Sequence, residues 1–287
     1  MPDEIYRLYQ ETLPLIKRNA AAVRGIIADA ANHIIREYAD GRLVGVSIVN
    51  ENTIYLLCVD EAHRRRGIGS RLLQSSEDYV RAAGHRRIVV GAGQAYIMPG
   101  IPTIDGADLF FKRRGYVYMR EHGDSLCLDM DMAIRDFVDD GLEIGAVIAG
   151  IRYRFAVAAD MAAIEECMLD AAENFVPFYR KAHFYEGKAT PAVLIAEKDG
   201  LVLGAVMVGI ENAGGGDHGS IGCTATREAY RGRGIGTTMV RLATKHLRDI
   251  GADYAFIGFT NTDIMSIYAK SGYKICMEYF AAEKKLG

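Results

Sequence analysis

Cysteine is sparse in this chain, five residues in 287, an odd number with no C-x-x-C pair. A disulfide framework and a zinc ribbon are therefore not expected as organising devices. Cys58, Cys127, Cys223 and Cys276 fall in strand-like runs, where a thiol acts as a small apolar filler. An excess of one charge is also missing: Lys plus Arg total 34 against 37 for Asp plus Glu, a net charge of −3. Nucleic acid calls for a strongly basic face, so no such partner is expected. Long apolar runs are absent, and stretches such as "IGAVIAGI" are too short to span a bilayer, so no membrane partner is expected. The opening "MPDEIYRLYQ" is acidic and lacks the basic-then-apolar profile of a signal peptide. His183 and His218 stand alone without ligand spacing, so no metal site is expected. The resulting expectation is a reduced, soluble, cytoplasmic protein.

Half of the residues are hydrophobic, enough for a sizeable core, and the length fits one large domain or two ordinary ones. The order of elements favours two. Residues 5–29 read as helices interrupted at Pro14 and Gly25. "HIIREYAD", "RLVGVSIVN" and "TIYLLCVD" read as consecutive strands, followed by the turn "RRRGIGSRL" from Arg64. Ile68, Leu72, Leu73, Tyr79, Val80 and Ala83 then mark one face of a helix ending at Gly84. A strand, a short helix "GADLFFKRRG" and closing strands "YVYMR" and "DSLCLDM" follow. The second half repeats this order around "RGRGIGTTM" from Arg231, with Met239, Ala243, Leu247 and Ile250 at helical spacing and "YKICMEYF" as a closing strand. The expected domains are 1–133 and 151–287, joined by a linker at 134–150. The fold class is mixed α/β, each half a mostly antiparallel mixed sheet flanked by helices.

A strand, a glycine-rich turn and a helix place several backbone N–H groups at a helix N-terminus, which suits phosphate oxygens. Glycine permits dihedrals and close approaches that other residues avoid, and arginine adds charge that can reach a phosphate. Neither copy has the lysine of a Walker A loop, and neither completes a dinucleotide G-x-G-x-x-G inside a βαβ unit. What remains is R-x-x-G-x-G, written twice: Arg64, Gly67, Gly69 and Arg231, Gly234, Gly236.

That pattern, in this strand and helix context over nearly the whole chain, resembles the GNAT superfamily of N-acetyltransferases, in tandem. The segment "PGIP…FFKRRGY" is similar to the first half of bacterial tandem GNAT proteins. The resemblance implies acetyl-CoA as co-substrate, without a metal. Its pyrophosphate is expected on Arg231, Gly232, Arg233, Gly234, Ile235 and Gly236, with Thr226 at the preceding strand end. In the first half the corresponding residues are Val59, Arg64, Arg66, Gly67, Ile68 and Gly69. The family's general acid is a tyrosine four residues before a Gly-aromatic pair, which maps onto Tyr268, with Gly272 and Tyr273 following. Asn261, seven residues earlier, matches a recurrent family asparagine and also suits a helix cap. A phenol with a pKa of about 10 stays protonated yet can give its proton to a developing thiolate, whose thiol has a pKa of roughly 8.5.

The first half departs from the pattern. Phe111 stands where Tyr268 stands in the second, and a phenyl ring donates no proton. Tyr96, in the Pro- and Gly-containing loop "QAYIMPGIPTIDG" that the first half has beyond the second, is a substitute donor or a turn aromatic. The expected acceptor is a small-molecule primary amine, which the resemblance itself does not name. Glu211, Asp217 and Glu51 are candidate bases and equally solvated turn acids. Phe175, Phe178, Tyr179, Phe184 and Tyr185 form an acceptor wall or a helix pair packed on the sheet. The expected activity is direct acetyl transfer by the second half. The alternatives are catalysis by the first half or a non-catalytic acyl-CoA sensor.

Overall fold

The structure is a computed structural model of the 287-residue chain. It describes all residues except 1, 17, 19, 92–96, 120–126, 181–191 and 213–216. Tyr96, His183, Phe184 and Tyr185 lie outside the described residues, as do the side chains of Glu211 and Asp217.

In chain order the helices and strands begin with α1 (Pro2–Thr12), α2 (Ala20–Ala28), β1 (His33–Ala39), β2 (Arg42–Asn50) and β3 (Thr53–Val59). They continue with α3 (Ile68–Ala82), β4 (Arg87–Val90), β5 (Ile101–Pro102), α4 (Ala107–Lys112), β6 (Val117–Tyr118) and β7 (Cys127–Ala133). Then come β8 (Val147–Ile148), β9 (Ile151–Phe155), α5 (Met161–Ala171), α6 (Val176–Tyr179), β10 (Ala192–Lys198), β11 (Leu201–Asn212) and β12 (Asp217–Thr226). The chain ends with α7 (Ile235–Asp249), β13 (Tyr254–Asn261), α8 (Met265–Ala269), β14 (Lys274–Phe280) and β15 (Ala282–Lys285).

The chain divides into two compact units, Met1–Leu128 with Cys276–Gly287, and Asp129–Ile275. The expected boundaries differ at both ends. The last twelve residues belong to the first unit, where β15 lies between β4 and β6 in the order β1-β2-β3-β4-β15-β6. Leu286 enters the apolar cluster of Ile54, Leu73, Ile88 and Phe111 there. Lys284 donates to both carboxylate oxygens of Glu77 on α3 at 2.9 and 2.8 Å, and Tyr116 Oη donates to the same carboxylate. Conversely, most of β7, read from the sequence as the first half's closing strand, falls in the second unit with the strand order β7-β13-β12-β11-β10-β9-β8. Both exchanged segments look like ordinary strands in sequence. Which sheet takes them depends on which edge is open, and composition carries no record of that.

The segment expected as a linker is docked within the second unit. Asp139, Asp140 and Glu143 pair with Arg248, Arg241 and Lys245, which lie on one face of α7. Lys245 Nζ also donates to the Leu142 carbonyl at 2.9 Å.

Helices α3 and α7 are built alike. Each begins at a glycine N-cap, buries one stripe (Ile68, Leu72, Leu73 and Val80; Ile235, Met239, Ala243 and Leu247) and ends before a left-handed glycine, Gly84 or Gly251. Each fully buried Leu or Ile is worth about 1.5–3 kcal/mol relative to exposure. Ala83 is exposed and falls outside the α3 stripe; Tyr79 is half-buried at its edge, packs on the same cluster as Leu73 and Val80, and stacks on His33 at 3.9 Å. Ile250, at the end of α7, is 37% exposed.

Candidate active site

The two turns are geometric copies. β3 and β12 each end in a short 3-10 turn, followed by Arg64 or Arg231, both at φ −63° and ψ 160°. Gly67 (φ 80°) and Gly234 (φ 81°) then cap the helices in the left-handed region. A side chain there costs strain, which is why the sequence needs glycine. Neither cap receives a side-chain hydrogen bond, and the helices' first amide bonds run from Arg71 N to Gly67 O and from Thr238 N to Gly234 O. The amides of residues 68–70 and 235–237 thus have no intrahelical partner and face outward at a positive dipole end. Ile68 and Ile235 contribute backbone alone, since both side chains are buried.

The arginines make contacts within the protein. Arg64 Nε donates to the Val59 carbonyl at 3.2 Å and Arg231 Nε to the Thr226 carbonyl at 3.1 Å, so each fastens its turn to the preceding strand. Arg64 also pairs with Asp105, and Arg231 Nη2 donates to the Ala171 carbonyl. Arg233 donates to the Ala229 carbonyl and lies over the Tyr230 ring, while Arg66 and Gly232 are exposed. The unpaired donors at the start of each helix are therefore main-chain amides.

Among the described residues β3 pairs in parallel with β4 at Thr53 and Ile54, and β12 with β13 from His218 to Ser220. In the second unit β12 runs on from there to Thr226 and β13 to Asn261 without pairing each other among the described residues, so the sheet opens before the turn. In the second unit β12 is kinked: Cys223 has φ 49°, and Cys223 and Thr224 together oppose one residue, Val206, of β11. The corresponding β3 residue, Leu56, has no such dihedral. Phe259, across the divergence on β13, is also left-handed at φ 61° and donates its N–H to Asp129.

Asn261 Oδ1 accepts from the amides of Asp263 and Ile264 at 3.1 and 3.3 Å and so starts the turn into α8. Tyr268 on α8 is only 5% exposed. Burial raises its phenol pKa, the Thr224 hydroxyl beside it works against the rise, and Cys223 adds to it slightly. Thr224 Oγ1 is buried and interacts with the phenol without a hydrogen bond of standard geometry. Tyr268 therefore stays protonated at neutral pH, as a proton donor must. Burial pushes the Cys223 thiol up to about 12, so it is not a thiolate nucleophile. Cys58, also at about 12, and Cys167, at about 11, are held neutral in the same way.

The first unit has the same frame with different chemistry. Phe111 is 4% exposed and packs edge-on against Phe110 and Tyr116 at 5.1 and 5.3 Å. A cleft of about 560 Å³ opens between its turn and α4, lined by Arg64, Gly69 and Ser70 on one side and Phe110, Phe111 and Arg114 on the other. Arg114 lies 3.8 Å from the Phe110 ring centroid and donates to Ser70 Oγ at 2.6 Å.

The repeat of strand, left-handed glycine and helix with unpartnered amides is matched independently by sequence. The profile described as acetyltransferase (GNAT) family matches residues 144–273, and that described as acetyltransferase (GNAT) domain matches residues 8–97. The chain belongs to the GNAT acetyltransferases, as a tandem of two such domains.

Solved GNAT structures share this fold. A GCN5-related N-acetyltransferase from Sphaerobacter thermophilus is 18% identical, with a TM-score of 0.70 over 99% of this chain and 93% of that one. A tandem GNAT protein from the clavulanic acid biosynthesis pathway is 17% identical, with a TM-score of 0.71 over 100% and 95%. A glucosamine N-acetyltransferase region in a fungal multi-domain GH3 β-N-acetylglucosaminidase is 16% identical with a TM-score of 0.74; the match covers 98% of this chain and 36% of that protein. No curated protein sequence matches the chain.

Of the remaining candidates, Tyr179 is not a wall residue. It is fully buried in the core with Ile164, Met168 and Val193, and its hydroxyl donates to the Cys223 carbonyl at 2.7 Å. Phe175 packs on the same cluster, and Glu51 sits in an exposed turn at φ 48°. Sequence reasoning missed Arg114, Asp105 and Thr224. Laying the two halves over each other at their turns would have exposed Thr224, because its counterpart is Leu57. Among the described residues no cluster of three His, Cys, Asp or Glu side chains forms a metal site, and no helix is long and apolar enough to cross a membrane.

Proposed function

We propose that this GNAT protein moves the acetyl group of acetyl-CoA directly to a small-molecule primary amine, and that the second unit performs the reaction. One observation carries the assignment. The second unit combines a buried protonated phenol, Tyr268, with a left-handed kink at Cys223 beside Thr224, whereas the first has Phe111 and, although β3 also shifts register at Tyr55, no left-handed residue at Leu56. The amides of residues 235–237 take the pyrophosphate, and the diverging main chains of β12 and β13 take the extended arm. The free amine attacks the thioester carbonyl carbon, a C–N bond forms and the C–S bond breaks. Tyr268 gives its proton to the departing sulfur, and the proton shed by nitrogen restores the phenol. The first unit, with its open cleft and no donor at position 111, holds a CoA-type ligand without turning it over.

Two experiments test this reading. Tyr268→Phe lowers kcat by about 10²-fold or more, within the range for one general acid, with little change in acetyl-CoA affinity; the assay is CoA release over a panel of aliphatic, aromatic, amino-sugar and amino-acid amines. Unchanged turnover removes Tyr268 from the role. Gly67→Glu and Gly234→Glu each abolish one CoA site in calorimetry, because a carboxylate in either turn repels the pyrophosphate. Only Gly234→Glu abolishes turnover.

A further inference from the structure

The Tyr179 hydroxyl reaches a strained place in the backbone. It comes from α6, is fully buried, and donates at 2.7 Å to the carbonyl of Cys223, the residue whose left-handed φ of 49° kinks β12. A non-glycine residue in that region costs about 1–3 kcal/mol and persists only where its surroundings hold it. The next residue, Thr224, turns a buried hydroxyl toward the Tyr268 phenol. The first unit lacks both hydroxyls at once: Leu57 stands for Thr224 and Phe111 for Tyr268, and the two share one apolar cluster. A packing role alone gives no reason for the two positions to differ together.

We propose that Tyr179 is a positioning residue: by holding the Cys223 carbonyl it keeps the β12 kink closed, and the kink sets the Thr224 hydroxyl against Tyr268. The chain Tyr179, Cys223, Thr224, Tyr268 links helix α6 to the proton donor. It rests on the reading of Tyr268 as general acid for its consequence in turnover, but its geometry is testable without an acceptor. When the phenol proton leaves for sulfur, the Thr224 O–H is placed to donate to the phenolate left behind.

The experiment introduces 3-fluorotyrosine at position 268, whose fluorine lowers the phenol pKa into an accessible range and reports its ionisation by ¹⁹F NMR. The titratable groups around that ring are the Cys223 thiol on β12, the Tyr273 phenol beyond α8 at 6.4 Å, and the Tyr153 phenol of β9 in the same cluster; α7 contributes apolar Met239 and Ala243. Burial raises the pKa of all three, as it does that of Tyr268, and only the fluorinated ring carries the ¹⁹F signal that reports its own ionisation. Removing one net hydrogen bond to the phenolate moves its pKa up by about half to one unit. Tyr179→Phe and Thr224→Val both produce that upward shift, and Thr224→Ser returns it. An unmoved titration in Tyr179→Phe overturns the inference, as does a shift in Thr224→Ser equal to that in Thr224→Val. Tyr268→Phe assayed for kcat is separate: unchanged turnover there defeats the general-acid reading, while the ¹⁹F result still decides the positioning chain.

Discussion

Consider the last glycine of each turn, Gly69 and Gly236, replaced by alanine. Neither has a positive φ, so the new Cβ brings no dihedral strain. At Gly236 it meets Ile267 Cδ1 at 3.5 Å and Thr226 Oγ1 at 3.7 Å; at Gly69 it meets the Phe110 ring at 3.4 Å and Val59 Cγ2 at 3.7 Å. These are ordinary contacts, tightest at Phe110. Alanine is also the better helix former by up to about 1 kcal/mol, so the folded chain loses little or gains. If those glycines serve folding alone, the substitutions are silent. If the amides of the turn hold a diphosphate, the methyl group stands in the gap between turn and following helix where the ligand approaches. CoA affinity at the altered site then falls tenfold or more, about 1.4 kcal/mol or above. Gly234→Ala is the control: its Cβ touches nothing within 4 Å, but φ is 81°, so it costs about 1–2 kcal/mol of stability through backbone strain. Thermal melts and calorimetry with CoA on the three variants separate the two effects. Undiminished CoA affinity in both Gly69→Ala and Gly236→Ala refutes the main-chain cradle, whatever the melts show.

Two further outcomes follow from the packing. Lys284→Met strands the nearly buried Glu77 carboxylate, whose side chain is 5% exposed, and lowers stability by about 2–3 kcal/mol in chemical denaturation, discounted from a fully buried pair because Lys284 is partly solvated; no loss would mean that β15 is held by its backbone pairing alone. Arg154 donates to both oxygens of Asp160, and this holds the Asp160 carboxyl below the usual range. A depressed carboxyl contributes stability above its unfolded pKa of about 3.9, and that contribution is lost as pH falls through the lower folded value. Asp160→Asn therefore destabilises the protein at neutral pH and flattens the acid limb of its unfolding profile, read by circular dichroism from pH 7 to 2; an unchanged limb would exclude the linkage.

Much of this protein is legible in order of residues alone. The two turns and their helices follow from short-range rules, because a left-handed cap admits little but glycine and a helix buries residues at fixed spacing, while Tyr268 is singled out by the family resemblance. Chemistry was less legible. Arg64 and Arg231 read as phosphate ligands, yet their guanidinium groups are spent on carbonyls five residues back. Tyr179 read either as pocket wall or as an aromatic packed on the sheet; it is packed, and it is also a buried donor to a kink 44 residues away.

Pattern, with the family resemblance it carries, thus determined that two GNAT halves exist, where each presents the free amides of a glycine-capped helix, and that Phe111 stands in one half where Tyr268 stands in the other. Tertiary structure alone decided that residues 276–287 complete the first unit, that the segment 134–150 docks by ion pairs on α7, and that Cys223 kinks β12 beneath Tyr179. The reason is one of range. Glycine, helix periodicity and caps act within a turn or two of chain, whereas strand pairing, buried ion pairs and hydrogen bonds to strained carbonyls join residues whose separation in sequence leaves no trace until the chain has closed on itself.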